Sequence, residues 1–181
     1  MIVENTIRQA SKILKSNNIN TYMLDAEIIL SNIMGVSREF LIINSHKNIS
    51  EKVLKKFNNE IIRRIKKEPI AYIVGKKEFW KDIFSVNYST LIPRPETELL
   101  IYKIIKFFKY KRVNILDIGT GSGCILLSIL KELPFSNGTG IDISTKAIKI
   151  AKENSKKMNL TSKSNFKVFN INDFKLGKYD L

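Results

Sequence analysis

Four residues with chemical potential, Asp117, Gly119, Gly121 and Gly123, fall inside seven consecutive positions, Asp-Ile-Gly-Thr-Gly-Ser-Gly. They follow directly on the apolar run Val113 to Ile118, which reads as a buried strand, and precede Cys124 to Leu133, which reads as a helix. At the carboxyl end of a strand, glycine lets the backbone turn tightly and lets a ligand approach with no Cβ in the way. The next helix offers free N–H groups. Thr120 and Ser122 complete the loop, and a nucleotide-like ligand is expected on residues 119 to 123. A dinucleotide fingerprint would need glycine where Cys124 stands, and the Asp117 carboxylate would sit close to the diphosphate. The pattern therefore favours a ligand without phosphates, and an acid at its edge favours one that carries positive charge.

S-adenosyl-L-methionine meets both conditions, because its sulfonium and ammonium groups are cationic. Asp142 ends the next apolar segment, Gly140 to Ser144, nineteen residues beyond Gly123, where a carboxylate can accept from both hydroxyls of a ribose. Ser144 already offers a helix cap, which leaves Asp142 free for that task. Asp173 and Phe174 follow the third strand. A carboxylate there can accept from an adenine amino group while the ring stacks on the base, although a loop Asp beside a core Phe reads almost equally well.

Composition removes other classes. One cysteine, Cys124, and one histidine, His46, supply neither a disulfide nor a tetrahedral metal cluster. No stretch approaches eighteen apolar residues, and Glu4 and Asn5 stand where a signal peptide needs an apolar run, so a cytoplasmic protein that does not enter a membrane is expected. The formal charge of +14 is spread evenly, with 15 basic and 9 acidic residues in 1–90 and 16 and 8 in 91–181. That distribution describes a solvated surface better than a nucleic-acid arm. Arg38, Arg63, Arg64, Lys66 and Lys67 read as exposed helix charges in preference to a docking face, and His46 as a surface residue.

The elements that would position these residues change character at Pro69. Before it, Val3, Ile7, Ala10 and Leu14 mark one helical face. Thr21 can cap a second helix ending at Gly35, Ser37 a short third and Ser50 a fourth through Leu54, Phe57, Ile61 and Ile65. After it, Ile70 to Val74 and Phe79 to Val86 read as strands around a turn at Gly75 to Lys77, with Trp80 anchoring a satellite core. Glu96 to Phe108 is an apolar helix. From Val113 the order strand, helix, strand, helix, strand opens a doubly wound parallel sheet, and Tyr179 to Leu181 reads as the start of a fourth strand.

The stretch Ile92-Pro93-Arg94-Pro95-Glu96-Thr97-Glu98, followed about twenty residues on by Asp117 to Gly123, resembles the release factor glutamine methyltransferase family, also called HemK or PrmC. So do Pro69 to Gly75 with Glu78-Phe79-Trp80, and Asp142-Ile143-Ser144 before Ala147. The resemblance implies an α/β fold: a helical substrate-docking domain at 1–68, a β-hairpin linker at 69–92, and the first part of a Rossmann-like class I methyltransferase domain at 93–181. It also implies N5 methylation, from S-adenosyl-L-methionine, of the glutamine in the Gly-Gly-Gln loop of class I peptide chain release factors. The protein would act as a monomer that needs no nucleic acid. Asp142 would lie on the ribose, Phe174 (a Trp in many relatives) near the adenine, and Thr97 near the methionine carboxylate. The family's Asn-Pro-Pro-Tyr signature follows its fourth strand and lies beyond Leu181, so cofactor contacts and no catalytic residue are expected here, and an inactive chain as it stands. Methylation of a ribosomal protein glutamine or a nucleic-acid adenine, or non-catalytic binding, are the competing readings.

Overall fold

The computed structural model describes residues 1–173 and 177–181 and divides into two compact units, Met1–Val74 and Gly75–Leu181.

The first unit is helical: α1 (Val3–Ser16), α2 (Tyr22–Met34), α3 (Arg38–Ile43), α4 (Glu51–Ile65) and α5 (Ile70–Val74). The apolar stripes of these helices meet in one core that includes Val3, Leu14, Ile29, Leu30, Leu41, Phe57, Ile61 and Ile73. Ser37 and Ser50 cap α3 and α4 by accepting from the amides of Phe40 and Val53. Gly35 closes α2 in the left-handed conformation. Thr21 does not cap α2 as the sequence suggests. Its hydroxyl donates instead to Asp25 Oδ2, 2.8 Å away, one turn along, where a buried carboxylate needs partners more than an exposed helix end does.

Residues 70 to 74 are a fifth helix, where the apolar run suggested a strand. Five apolar residues are too few to show a period, so local bonding decides. The Pro69 carbonyl accepts from the amides of Tyr72 and Ile73, Ile73 enters the bundle core, and Gly75 at φ +73° ends the turn.

The second unit begins with a hairpin of β1 (Lys76–Phe79) and β2 (Asp82–Ser85), joined at Trp80-Lys81, so the turn lies four residues later than expected. Phe79 and Phe84 meet edge to face, 6.1 Å between centroids, within the same core as Ile101, Leu127, Leu130 and Phe166. Trp80 packs on that core as well, so no separate satellite cluster forms. Its indole N–H donates to Glu132 at 2.9 Å and its amide to Glu98 at 2.8 Å.

Helix α6 (Thr97–Phe108) leads into β3 (Asn114–Ile118), α7 (Cys124–Glu132), β4 (Asn137–Asp142), α8 (Thr145–Lys157), β5 (Ser164–Val168) and a 3₁₀ turn at Ile171–Asp173. The strands form a parallel sheet in the order β3-β4-β5. On the other side of β3, the Asp180 amide donates to the Asn114 carbonyl at 2.8 Å and the Leu116 amide to the Leu181 carbonyl at 2.7 Å. Asp180 and Leu181 thus lie along the edge of β3 away from β4, where a fourth strand was expected to open, but among the described residues the sheet has three strands. A strand on that edge would reverse the strand order at β3. Crevices for ligands form at such a reversal, outside the carboxyl ends of the strands.

Candidate functional site

Strand β3 delivers Asp117 to that carboxyl end, and the glycine loop starts two residues later. Amides of Gly119 and Thr120 both donate to the Ile141 carbonyl, at 2.9 and 3.0 Å, which ties the loop to β4. Gly119, Gly121 and Gly123 all hold positive φ, +73°, +56° and +78°, a region that side chains with a Cβ avoid. They do two different jobs. A Cβ on Gly119 would meet nothing within 4 Å, and one on Gly121 only the Gly119 carbonyl at 3.9 Å, so the backbone faces open space there. On Gly123 it would press against Phe166, Leu127 and Ala151 at 3.1 to 3.3 Å, so this glycine lets α7 pack closely on the sheet. Gly140 is also required: a Cβ there would lie 2.6 Å from the Phe166 ring and 2.8 Å from Thr120 Oγ1.

Two carboxylates brace the loop. Asp142, at the end of β4, accepts from the Gly121 amide on Oδ2 at 3.0 Å and from the Ser144 amide on Oδ1 at 2.9 Å. Ser144 itself caps α8 by accepting from the Ala147 amide at 3.2 Å, as the sequence suggested. Asp117 accepts from Thr120 Oγ1 at 2.7 Å. Burial pushes the Asp117 carboxyl above its ordinary value, the Thr120 bond draws it back, and the charge of Asp142 adds a further upward push. The two carboxyls sit together beside an open backbone, and a cation bound there would favour their charged forms. Burial raises the Cys124 thiol to about 11, partly offset by Ser122. It stays protonated at neutral pH and is no nucleophile. Among the described residues, no group of three His, Cys, Asp or Glu side chains could hold a metal ion.

Of the other residues singled out by sequence, Thr97 opens α6, its amide bonded to the Arg94 carbonyl at 3.1 Å. Asp173 is exposed in the 3₁₀ turn. Neither is hydrogen-bonded to the glycine loop among the described residues, and Phe174 lies outside them. Sequence reasoning missed Asn154. Its side chain is 1% exposed and donates to the Ser122 carbonyl of the loop at 2.9 Å. The available signal was an Asn on the buried stripe of α8, shared with Ala147, Ile148 and Ala151.

The PrmC N-terminal domain matches residues 5–75, and a methyltransferase domain matches residues 109–181. Release factor glutamine methyltransferase of Buchnera aphidicola subsp. Schizaphis graminum is 47% identical over 136 residues, 75% of this chain and 50% of that protein. The enzyme of the same name from Caulobacter vibrioides is 36% identical over 152 residues, 83% of this chain and 53% of that one. Over these stretches the chain is similar to release factor glutamine methyltransferases. It spans about half the length of these relatives. The bifunctional methyltransferase of Rickettsia prowazekii is 38% identical over 180 residues, 89% of this chain and 35% of that protein.

Within the residues that match the PrmC N-terminal domain, four of the five basic residues weighed as a docking face bond to the bundle itself, Lys66 being the exception. Arg38 pairs with Glu27, and Arg63 with Glu60 and Glu68. Arg64 meets the buried Asp25 at 2.7 Å, and Lys67 donates to the carbonyls of Asn17 and Asn18 at the end of α1. Arg38, Lys66 and Lys67 lie exposed, as the sequence suggested, while Arg63 and Arg64 are partly buried in their ion pairs. No helix among the described residues is long and apolar enough to cross a membrane.

Proposed function

We propose that Gly75–Leu181 binds S-adenosyl-L-methionine on the Gly119–Gly123 loop, and that the enzyme to which this chain corresponds transfers its methyl group to the glutamine side-chain nitrogen of the Gly-Gly-Gln motif in class I release factors. One observation carries the reading. Gly119 and Gly121 present open backbone at the carboxyl end of β3, flanked by the carboxyl groups of Asp117 and Asp142. A cationic nucleoside fits this donor set, and a diphosphate would be repelled by it. Identity to release factor glutamine methyltransferases supports the substrate.

In the bound state, Asp142 would accept from the ribose hydroxyls, exchanging its present bond to the Gly121 amide for them. Asp117 would face the cationic methionine end, with Thr97 toward the methionine carboxylate and Asp173 and Phe174 toward the adenine. S-adenosyl-L-methionine supplies the electrophilic methyl group. An amide nitrogen is a weak nucleophile because its lone pair is delocalised, so the catalytic demand is on positioning and electrostatics more than on acid or base chemistry. The helical unit would hold the release factor, and the reaction would take place in the cytoplasm with no nucleic acid required.

Calorimetric titration tests the binding step: S-adenosyl-L-methionine and S-adenosylhomocysteine should bind, and NAD should not. Equal binding of NAD would overturn the assignment. Mass spectrometry of release factor incubated with the full-length enzyme tests the substrate, with a gain of one methyl group on the Gly-Gly-Gln glutamine as the expected product.

A further inference from the structure

Asn154 joins two segments distant in sequence, using both of its N–H donors and its carbonyl oxygen. The Ser85 amide donates to Asn154 Oδ1 at 2.8 Å, and Asn154 Nδ2 donates to the Ser85 carbonyl at 3.0 Å and to the Ser122 carbonyl at 2.9 Å. Because a backbone amide can only donate, the Ser85 contact fixes which end of the side chain is oxygen. Ser85 ends β2, and Ser122 lies between two left-handed glycines of the loop. From Ser85 the chain runs through the buried Val86, a turn in which Thr90 Oγ1 meets the Asn87 carbonyl, and Pro93, to the start of α6. The far end of this strap is pinned as well, by the Trp80 amide on the Glu98 carboxylate. The segment from Val86 to Thr97 is therefore held at both ends, and Asn154 is the tie between its origin and the glycine loop.

We infer that Asn154 is a positioning residue that sets the strap carrying Pro93 to Thr97 against the Gly119–Gly123 loop, so that it governs cofactor affinity without touching the cofactor. This rests on the proposal that the loop binds S-adenosyl-L-methionine. A buried Asn on an apolar helix stripe costs desolvation, and three backbone bonds to two separate segments are what offset it. Leucine would fill the space and keep the core, but would release both segments.

The test separates this role from general support of the fold. In Asn154→Leu, amide hydrogen exchange should rise at Ser85 and along 86–97 while β3, β4 and α7 stay protected, and affinity for S-adenosylhomocysteine should fall about tenfold, as loss of hydrogen-bonded positioning predicts. Asn154→Asp keeps the Oδ1 acceptor but sets a carboxylate against the Ser85 and Ser122 carbonyls. Its affinity relative to the unsubstituted chain should be low at pH 8 and recover as pH falls and the acid regains a donor. A structural role based on volume alone would give no such pH profile. Unchanged exchange along 86–97 in folded Asn154→Leu overturns the tie, and unchanged affinity overturns its part in binding. If the unsubstituted chain binds no S-adenosylhomocysteine, the cofactor assignment fails, and the exchange measurement still decides whether Asn154 holds the strap.

Discussion

Thr120 Oγ1 donates a 2.7 Å hydrogen bond to Asp117 Oδ2 and holds a half-buried carboxylate at the mouth of the glycine loop. Burial still outweighs that bond, and the Asp117 carboxyl stays above its ordinary value of 3.8. In the window between 3.8 and the raised value, the folded chain binds more protons than the unfolded one, so stability falls as pH rises through it and stays lower above it. Asp117→Asn should therefore raise the unfolding temperature of the ligand-free chain at pH 7 and leave it nearly unchanged below pH 3.8. A cationic ligand favours the charged form, so its affinity for the unsubstituted chain should rise with pH through the same window. Thermal melts and calorimetric titrations across pH check both signs.

Gly121→Val should abolish cofactor binding. The position has φ +56°, which a β-branched residue adopts only at a cost of about 1–3 kcal/mol, and the new side chain would occupy the open space beside the loop. Gly123→Ala should act differently: it meets Phe166 and Leu127, so the melt should shift down with the loss of binding. Comparing the two variants by calorimetry and thermal unfolding separates ligand exclusion from damage to packing.

Asp142→Ala removes the acceptor for the Gly121 and Ser144 amides as well as the proposed ribose contacts. The expected loss is about 1.5–3 kcal/mol of cofactor binding, the range for hydrogen bonds to a charged group. Full affinity in this variant would reduce Asp142 to a brace for the loop.

Asp25 and Arg64 form an ion pair with side chains 4% and 17% exposed, and Asp25 also accepts from Thr21. Asp25→Ala should destabilise the helical unit by about 3 kcal/mol, because it leaves a poorly solvated guanidinium without its partner. Chemical denaturation followed by circular dichroism checks the magnitude. Arg38→Ala, whose partner pair is more exposed, should cost less than about 1 kcal/mol in the same measurement.

Cys124, buried and with its thiol raised to about 11, should resist iodoacetamide at pH 7.5 in the native chain and react fully in denaturant. Mass spectrometry of the alkylated peptide reads the result.

Local rules made much of this protein legible before its fold was known. The change from helical stripes to alternating strands and helices, the glycine loop between Ile118 and Cys124, the Ser144 cap and the acid at Asp142 all follow from periodicity, turn chemistry and charge, which act over a few residues. Where a segment is too short to show a period, tertiary packing decided. Ile70 to Val74 became a helix because the bundle core received Ile73, and the hairpin turn moved to Trp80-Lys81, so that Phe79 and Phe84 share the core of α6 and α7. The division of labour among the three loop glycines, the tie made by Asn154 and the pairing of Arg64 with Asp25 join residues 32, 39 and 69 positions apart or lie between layers. No local pattern encodes such bonds. They form because a buried polar group must find partners wherever the folded chain brings them.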